Sequence, residues 1–169
     1  MAQPNCAFNH LALSVPNLDE AVEWYTKLFG FRVIVPTVLA ESGGPTAESA
    51  NKIYGPELRS MKMCILSMGN GVAFEIFEYI DPKYNGPKKR VDWNPDTYTK
   101  GGIFHICVTV PDVDAKTAEC IRMGAKQVGE TVTLTESYRA SYVQDPWGNV
   151  VEMLNCSMQE LFLELKAVG

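Results

Sequence analysis

Two histidines and two glutamates are the residues of this chain with the clearest potential for chemistry. His10 and His105 are the only histidines, and they begin two similar segments, HLALSVPNLD and HICVTVPDVD. Two further segments, GVAFEIF and GNVVEML, align in the same way and match Glu75 with Glu152. Two imidazoles and two carboxylates are suitable ligands for a divalent cation that keeps a position open for water or substrate.

Other interpretations of these four residues remain open. A single histidine in a strand is more often a hydrogen-bonded structural residue than a ligand, and a glutamate among apolar neighbours often belongs to a strand edge. Strand alternation, however, places Glu75 with Ala73 and Phe77 on one face, where a carboxylate is costly unless it is paired, protonated or bound to a metal. The matched placement of all four favours a metal site over a structural polar network or a metal-free relic.

The elements that must position these residues follow a β-α-β-β-β order that occurs twice. In the first half the pattern predicts a strand, a helix capped by Asn17, a strand ended by Pro36, and a hairpin around Gly69-Asn70-Gly71. The predicted strands are Phe8–Val15, Phe31–Val35, Met61–Met68 and Val72–Tyr79. Residues 41–57 are predicted to form a long loop, because they are rich in Gly, Pro and small polar residues.

The second half repeats this order. Its predicted strands are 103–110, 126–132, 138–144 and 149–155, and Asp112 caps its helix. We predict a single α+β domain over residues 1–169, with module 1 at about 7–80, a linker at 81–102, module 2 at about 103–156 and a C-terminal helix at 157–167. Each module is too small to close a core alone, so the two modules are expected to pack together.

Composition limits the class of partner. The net charge is −5, from 15 basic and 20 acidic residues, and this argues against a nucleic-acid partner because phosphate binding requires a basic stripe. No apolar run approaches the length that spans a membrane, so no membrane partner is expected. The five cysteines are an odd number without CxxC spacing, which favours a reduced, cytoplasmic setting.

At these paired motifs the chain resembles the vicinal oxygen chelate superfamily, which includes glyoxalase I, methylmalonyl-CoA epimerase, extradiol dioxygenases and the bleomycin- and fosfomycin-resistance proteins. The resemblance extends from FNHLALSVPNLDEAVEWYTKLFGF to DPWGNVVEML. It implies two βαβββ modules that form an open half-barrel fold, with a metal ion in the cleft. Carried over by position, the metal ligands would be His10, Glu75, His105 and Glu152.

This ligand set is similar to that of bacterial glyoxalase I, since dioxygenases and fosfomycin-resistance enzymes typically have two His and one Glu. The resemblance therefore implies a glyoxalase-like lyase or isomerase dependent on Zn, Ni, Co, Mn, Mg or Fe, acting on a small molecule with vicinal oxygens. The metal would polarise a carbonyl and stabilise an enediolate. Glu152 would be the general base, alternating with Glu75.

Substrate contacts are predicted at Tyr54, Trp93, Tyr98 and Arg139. Tyr54 belongs to the predicted loop at 41–57, and Trp93 and Tyr98 belong to the linker at 81–102. Two alternative functions stay open: an Fe(II)-dependent ring-cleaving dioxygenase, and a metal-free small-molecule-binding protein of the drug-resistance type. A homodimer is expected, because open half-barrels leave strand edges and apolar faces to cover. Sequence leaves the substrate and any role of glutathione open.

Overall fold

The computed structural model describes residues 6–45 and 47–168. The chain divides into two compact units, Met1–Gly86 and Pro87–Gly169. Among the described residues, no helix has both the length and the apolar composition needed to cross a membrane. Each unit is built around one open four-stranded sheet.

The first unit contains four strands and two helices. Its elements are β1 (His10–Ser14), α1 (Leu18–Phe29), β2 (Arg32–Glu41), α2 (Ala47–Tyr54), β3 (Ser60–Gly69) and β4 (Val72–Asp81). The sheet order is β1-β4-β3-β2, with β1 parallel to β4 and the other neighbours antiparallel. The first strand therefore lies beside the last one, which brings their functional residues together.

Helix α1 covers one face of this sheet. Asn17 caps its N-terminus as expected: its side-chain oxygen accepts the Glu20 N–H at 3.2 Å, and its amide donates to the Glu20 carboxylate at 2.8 Å. The apolar side of the helix and the facing strand residues are buried; they include Leu18, Tyr25, Leu28, Cys64, Leu66, Phe74 and Ile76. Because side chains alternate along a strand, Glu75 points to the opposite face.

Two predictions for this unit are wrong. Strand β2 continues through Pro36 to Glu41, and its pairing with β3 shifts register between Val35 and Val38. β2 is an edge strand, so the sheet tolerates a residue without an N–H there. The segment predicted as a loop contains α2, whose exposed Glu48 and Lys52 form an i,i+4 ion pair at 2.6 Å.

The second unit repeats the arrangement. Its elements are α3 (Pro95–Thr99), β5 (Ile106–Thr109), α4 (Val113–Arg122), β6 (Lys126–Thr133), β7 (Arg139–Gln144), β8 (Val150–Leu154) and α5 (Met158–Val168). The sheet order is β5-β8-β7-β6, and Asp112 caps α4 by accepting the Ala115 N–H at 2.9 Å. The short helix α3 lies within the predicted linker.

The two sheets match residue by residue at their parallel strand pairs. Ala12 lies opposite Glu75 in the first unit, and Cys107 lies opposite Glu152 in the second. Ala12 and Cys107 each follow a histidine by two positions. The predicted α+β class with two βαβββ modules is confirmed, and the internal repeat extends to the pairing register.

Candidate functional site

The first unit brings His10 and Glu75 together. In the parallel pair of β1 and β4, His10 and Glu75 occupy the same sheet face, two positions apart in register. His10 Nε2 lies 3.8 Å from Glu75 Oε2. His10 Nδ1 lies 2.8 Å from the Asn9 side-chain oxygen, which can only accept a hydrogen bond. This contact favours the tautomer with the proton on Nδ1, in which the Nε2 lone pair is available to a ligand.

Glu75 opens onto a pocket of about 710 Å³ in the first unit. The pocket lies between the sheet face that carries Glu75 and the segment that contains α2. Its described lining residues are Val38, Leu39, Ala40, Glu41, Gly44, Pro45, Ser49, Ala50, Ile53, Tyr54, Met61, Met63, Glu75 and Phe77. Tyr54, predicted to contact substrate, therefore shares a pocket with a predicted ligand, and its ring contacts Tyr79 edge-on at 6.3 Å.

The second unit brings His105 and Glu152 together more tightly. His105 Nε2 lies 3.2 Å from Glu152 Oε2, and the Glu152 side chain is only 10% exposed, against 23% for Glu75. His105 Nδ1 is buried and has no hydrogen-bond partner among the residues that the structure describes. The two units therefore share an imidazole–carboxylate contact but differ behind the imidazole, where Phe104 replaces Asn9.

Tyr142 and Cys107 surround the Glu152 carboxylate, and sequence reasoning missed both. Tyr142 lies opposite Glu152 across β7 and β8, and Cys107 lies opposite it across β5 and β8. The Glu152 carboxylate accepts a hydrogen bond from each of these groups. Burial, and after it the negative charge and hydrogen bonding of Glu152, raise the pKa of the Tyr142 hydroxyl. The same causes raise the pKa of the Cys107 thiol to about 12. Both groups are therefore neutral donors to Glu152 at pH 7.

A run of ring contacts connects the predicted contact residues Trp93 and Tyr98 to His105. The Trp93 ring lies 5.3 Å from Tyr98 and 6.5 Å from Phe104. Phe104 contacts His105 edge-on at 4.4 Å, and Tyr142 contacts the same imidazole at 5.4 Å. The imidazole is thus held between two aromatic rings, which restrict its orientation.

Arg139 is not brought to this cluster. It lies on the face of β7 opposite to Tyr142, and its guanidinium donates to Asp114 of α4 at 3.2 Å.

On β4, Glu78 faces away from Glu75: it accepts the Leu18 N–H at 3.0 Å and lies 3.6 Å from the Lys62 ammonium. Glu78 therefore supports the N-terminus of α1.

The chemistry of each pair fits a divalent metal. Nitrogen and oxygen ligands about 2.0–2.2 Å from one ion lie roughly 2.8–3.6 Å apart at octahedral or tetrahedral angles. The separation of 3.2 Å in the His105 pair lies within that range, and that of 3.8 Å in the His10 pair is slightly longer. Within residues 6–45 and 47–168, no group of three or more His, Cys, Asp or Glu side chains is placed to hold an ion, so each unit by itself offers two ligands.

Comparison with known proteins places this architecture in a family. The model of the Glyoxalase/Bleomycin resistance protein/Dioxygenase superfamily matches residues 7–153, which include both pairs. Among curated proteins, a 2-epi-5-epi-valiolone epimerase from Actinomyces sp. is 30% identical over 156 residues, covering 88% of this chain and 79% of that protein.

Solved structures show the same fold at low sequence identity. A glyoxalase family protein from Bacillus cereus superposes with a TM-score of 0.74 at 20% identity, covering 91% of this chain and 97% of that one. The fosfomycin resistance protein FosX from Listeria monocytogenes, in complex with Mn(II) and sulfate, gives a TM-score of 0.58 at 15% identity, covering 94% and 99%. With its repeated register and its family match, the chain belongs to the glyoxalase/bleomycin resistance/dioxygenase, or vicinal oxygen chelate, superfamily.

Proposed function

We propose that the chain is a divalent-metal-dependent isomerase or lyase that moves a proton at a carbon next to a carbonyl in a small molecule with vicinal oxygens. The observation that carries this proposal is the equivalent His–Glu pair in each unit, at 3.8 Å and 3.2 Å. The 30% identity to an epimerase supports it, because an epimerase inverts a stereocentre and needs an acid and a base. A glyoxalase-type reaction would use the same groups.

His10, Glu75, His105 and Glu152 are the residues that would hold the ion, and Zn, Ni, Co, Mn, Mg and Fe all suit two nitrogen and two oxygen ligands. When bound, the ion supplies a Lewis acid that polarises the substrate carbonyl and stabilises the negative charge left by proton loss.

Glu152 is proposed to take the proton from the carbon onto Oε2. Its low exposure limits access of water, and the Tyr142 hydroxyl and Cys107 thiol donate hydrogen bonds that orient the carboxylate. Inversion requires that a proton return to the opposite face of the same carbon. Glu75, in its protonated form, is proposed to deliver it, after which the two carboxyl groups have exchanged protonation states.

Solvent exchange of the reacting proton tests this proposal. The metal-loaded full chain is incubated in D2O with 2-epi-5-epi-valiolone or with simple α-hydroxyketones, and loss of the α-proton signal is followed by NMR. We expect exchange that Glu152→Gln slows by at least about a hundredfold, since a positioned general base contributes at least that factor. The matched control, Glu78→Gln, should retain the rate. Equal rates in the wild type and in Glu152→Gln would contradict the proposal.

The same preparations separate the two rival functions. A ring-cleaving dioxygenase would consume oxygen with catechols under Fe(II), and an isomerase would not. A metal-free binding protein would bind its ligand equally with and without a chelator and would show no α-proton exchange. Either result would replace the isomerase proposal.

A homodimer is proposed as the assembly. β2 is the edge strand of its sheet, and its Val33 and Ile34 are exposed, as are Phe162 and Leu163 of α5. Exposed strand edges and apolar side chains are the surfaces that oligomers bury. Light scattering on the full chain should give about twice the mass of one chain, whereas a single-chain mass at micromolar concentration would contradict the proposal.

A further inference from the structure

We infer that the substrate is a neutral molecule that carries a substantial apolar group, such as an aryl ring, next to its vicinal oxygens. The pocket beside Glu75 would hold that group. This inference rests on the proposed function, because it takes Glu75 as one end of the reacting site. It specifies the class of molecule that the isomerase accepts.

The floor and walls of the pocket are predominantly apolar. Met61 and Phe77 are each 5% exposed and belong to a buried cluster with Leu58. Met63 lies beside them on the same sheet face, directly opposite Phe77. Ile53, on α2, is 75% exposed although it lines the pocket, so it offers apolar surface that a ligand could cover. Methionine side chains adapt to irregular apolar groups and contact aromatic rings favourably.

The size of the pocket suits a whole chemical group. Its volume of about 710 Å³ lies within the range of roughly 300–1,000 Å³ that is common for small-molecule sites. A substrate that consisted only of a short polar chain would leave most of this apolar surface in contact with water.

The charge of the pocket argues against an anionic substrate. Among its described lining residues, Glu41 and Glu75 are acidic and none is Lys, Arg or His. The ion that Glu75 would help to hold would meet the vicinal oxygens of any substrate, charged or neutral. A further phosphate, phosphonate or carboxylate group in the pocket would find no cationic side chain among these lining residues and would lie near the Glu41 carboxylate. The polar lining groups, which include Ser49 and Tyr54, suit a neutral substrate.

Three α-hydroxyketones test the inference as probes: 2-hydroxy-1-phenylpropan-1-one, dihydroxyacetone and dihydroxyacetone phosphate. They are respectively neutral with an aryl group, neutral and polar, and anionic. Dissociation constants are measured by calorimetry on the metal-loaded full chain. We expect the aryl probe to bind at least about tenfold more tightly than dihydroxyacetone, and the phosphate to bind most weakly.

A matched pair of variants locates the effect in the pocket. Ile53→Arg places a cation on the exposed wall of the pocket. It should weaken binding of the aryl probe at least about fivefold and strengthen binding of dihydroxyacetone phosphate. Ile121→Arg is the control: Ile121 is an exposed isoleucine on α4, at 46%, and is not among the pocket's lining residues. It should leave all three constants unchanged. Circular dichroism verifies that both variants fold.

Calorimetry tests the substrate-class inference and proton exchange tests the isomerase proposal, so each can be refuted without the other. If the aryl probe binds most tightly but no probe exchanges its α-proton, the substrate-class inference stands for binding and the isomerase proposal fails. If exchange occurs but dihydroxyacetone or its phosphate binds as tightly as the aryl probe, the inference is overturned. It is also overturned if the aryl probe shows no binding, or if Ile53→Arg changes none of the constants.

Discussion

At the scale of single residues, Glu75 and Glu78 provide an internal comparison, because they lie on one strand and face opposite sides of its sheet. We predict that Glu75→Gln lowers metal affinity at least about tenfold, since an amide is a weaker ligand than a carboxylate, and leaves stability nearly unchanged. Glu78→Gln should do the reverse. It removes a charged acceptor from the Leu18 N–H and should cost about 1 kcal/mol of unfolding free energy.

Metal titration and urea denaturation of both variants measure this difference. The assignment of roles would be wrong if Glu78→Gln weakened metal binding as much as Glu75→Gln did.

Cys107 reports on the charge of Glu152. In metal-free protein, burial and then the neighbouring Glu152 carboxylate raise the pKa of the Cys107 thiol to about 12. The thiol is therefore protonated and unreactive at pH 8, because only the thiolate is the nucleophile. Glu152→Gln removes the negative charge, lowers the pH at which Cys107 deprotonates, and should speed its alkylation by iodoacetamide.

Peptide mass spectrometry resolves Cys107 from Cys6; both are exposed residues, and the labelling of Cys6 is the control within the same chain. The rate at Cys6 should be the same with and without the substitution. A Cys107 rate that Glu152→Gln leaves unchanged would show that the carboxylate does not act on this thiol.

At the scale of elements, α2 forms part of the pocket wall, and its integrity can be tested at Lys52. The Lys52→Pro substitution removes a helix hydrogen bond and should disrupt the turn that carries Ile53 and Tyr54. We predict severalfold weaker binding of 2-hydroxy-1-phenylpropan-1-one, measured by calorimetry. Lys52→Ala, which keeps the helix and loses only the exposed ion pair with Glu48, should bind as the wild type does. If Lys52→Pro and Lys52→Ala bind the probe equally well, α2 does not contribute to ligand recognition.

Sequence predicted the elements whose signals are local. The caps at Asn17 and Asp112 and the turn around Asn70, which has a φ of 53°, depend on the chemistry of a few neighbouring residues. Helix α2 was missed because glycine and proline on either side of it dominated the composition of the segment. Its Ala47 start and the i,i+4 spacing of Glu48 and Lys52 were a usable signal.

Strand β2 shows a different limit. Proline ends a central strand because a neighbouring strand needs its N–H, but an edge strand has one side without a neighbour. Whether β2 is an edge strand depends on the sheet order, and that order is set by tertiary packing. Predicting that β2 continues through Pro36 therefore required the sheet order, which the local residues do not specify.

At the scale of the whole molecule, the repeat is what singled out one histidine and one glutamate in each half of the chain. Each His–Glu pair was predicted from matched motifs, and each is in contact within its own unit. Tyr142 was missed because it is recognised only by cross-strand register. The predicted four-residue turn at Asp145–Gly148 would have placed it opposite Val151, whereas the connection has three residues and Gln144 pairs with Val150. Trp93 and Tyr98 reach His105 through Phe104, a connection that sequence spacing does not reveal.

The central proposal is that His10, Glu75, His105 and Glu152 together hold one divalent ion for each chain. Elemental analysis of the purified protein after metal loading and desalting tests it most directly. Wild type, His10→Ala, His105→Ala and the control Glu78→Gln are compared once circular dichroism has verified their folding. We predict about one ion per chain in the wild type and in Glu78→Gln, and less than about a tenth of that in either histidine variant. Full occupancy in His10→Ala or His105→Ala, or a wild type that retains no ion, would contradict the account.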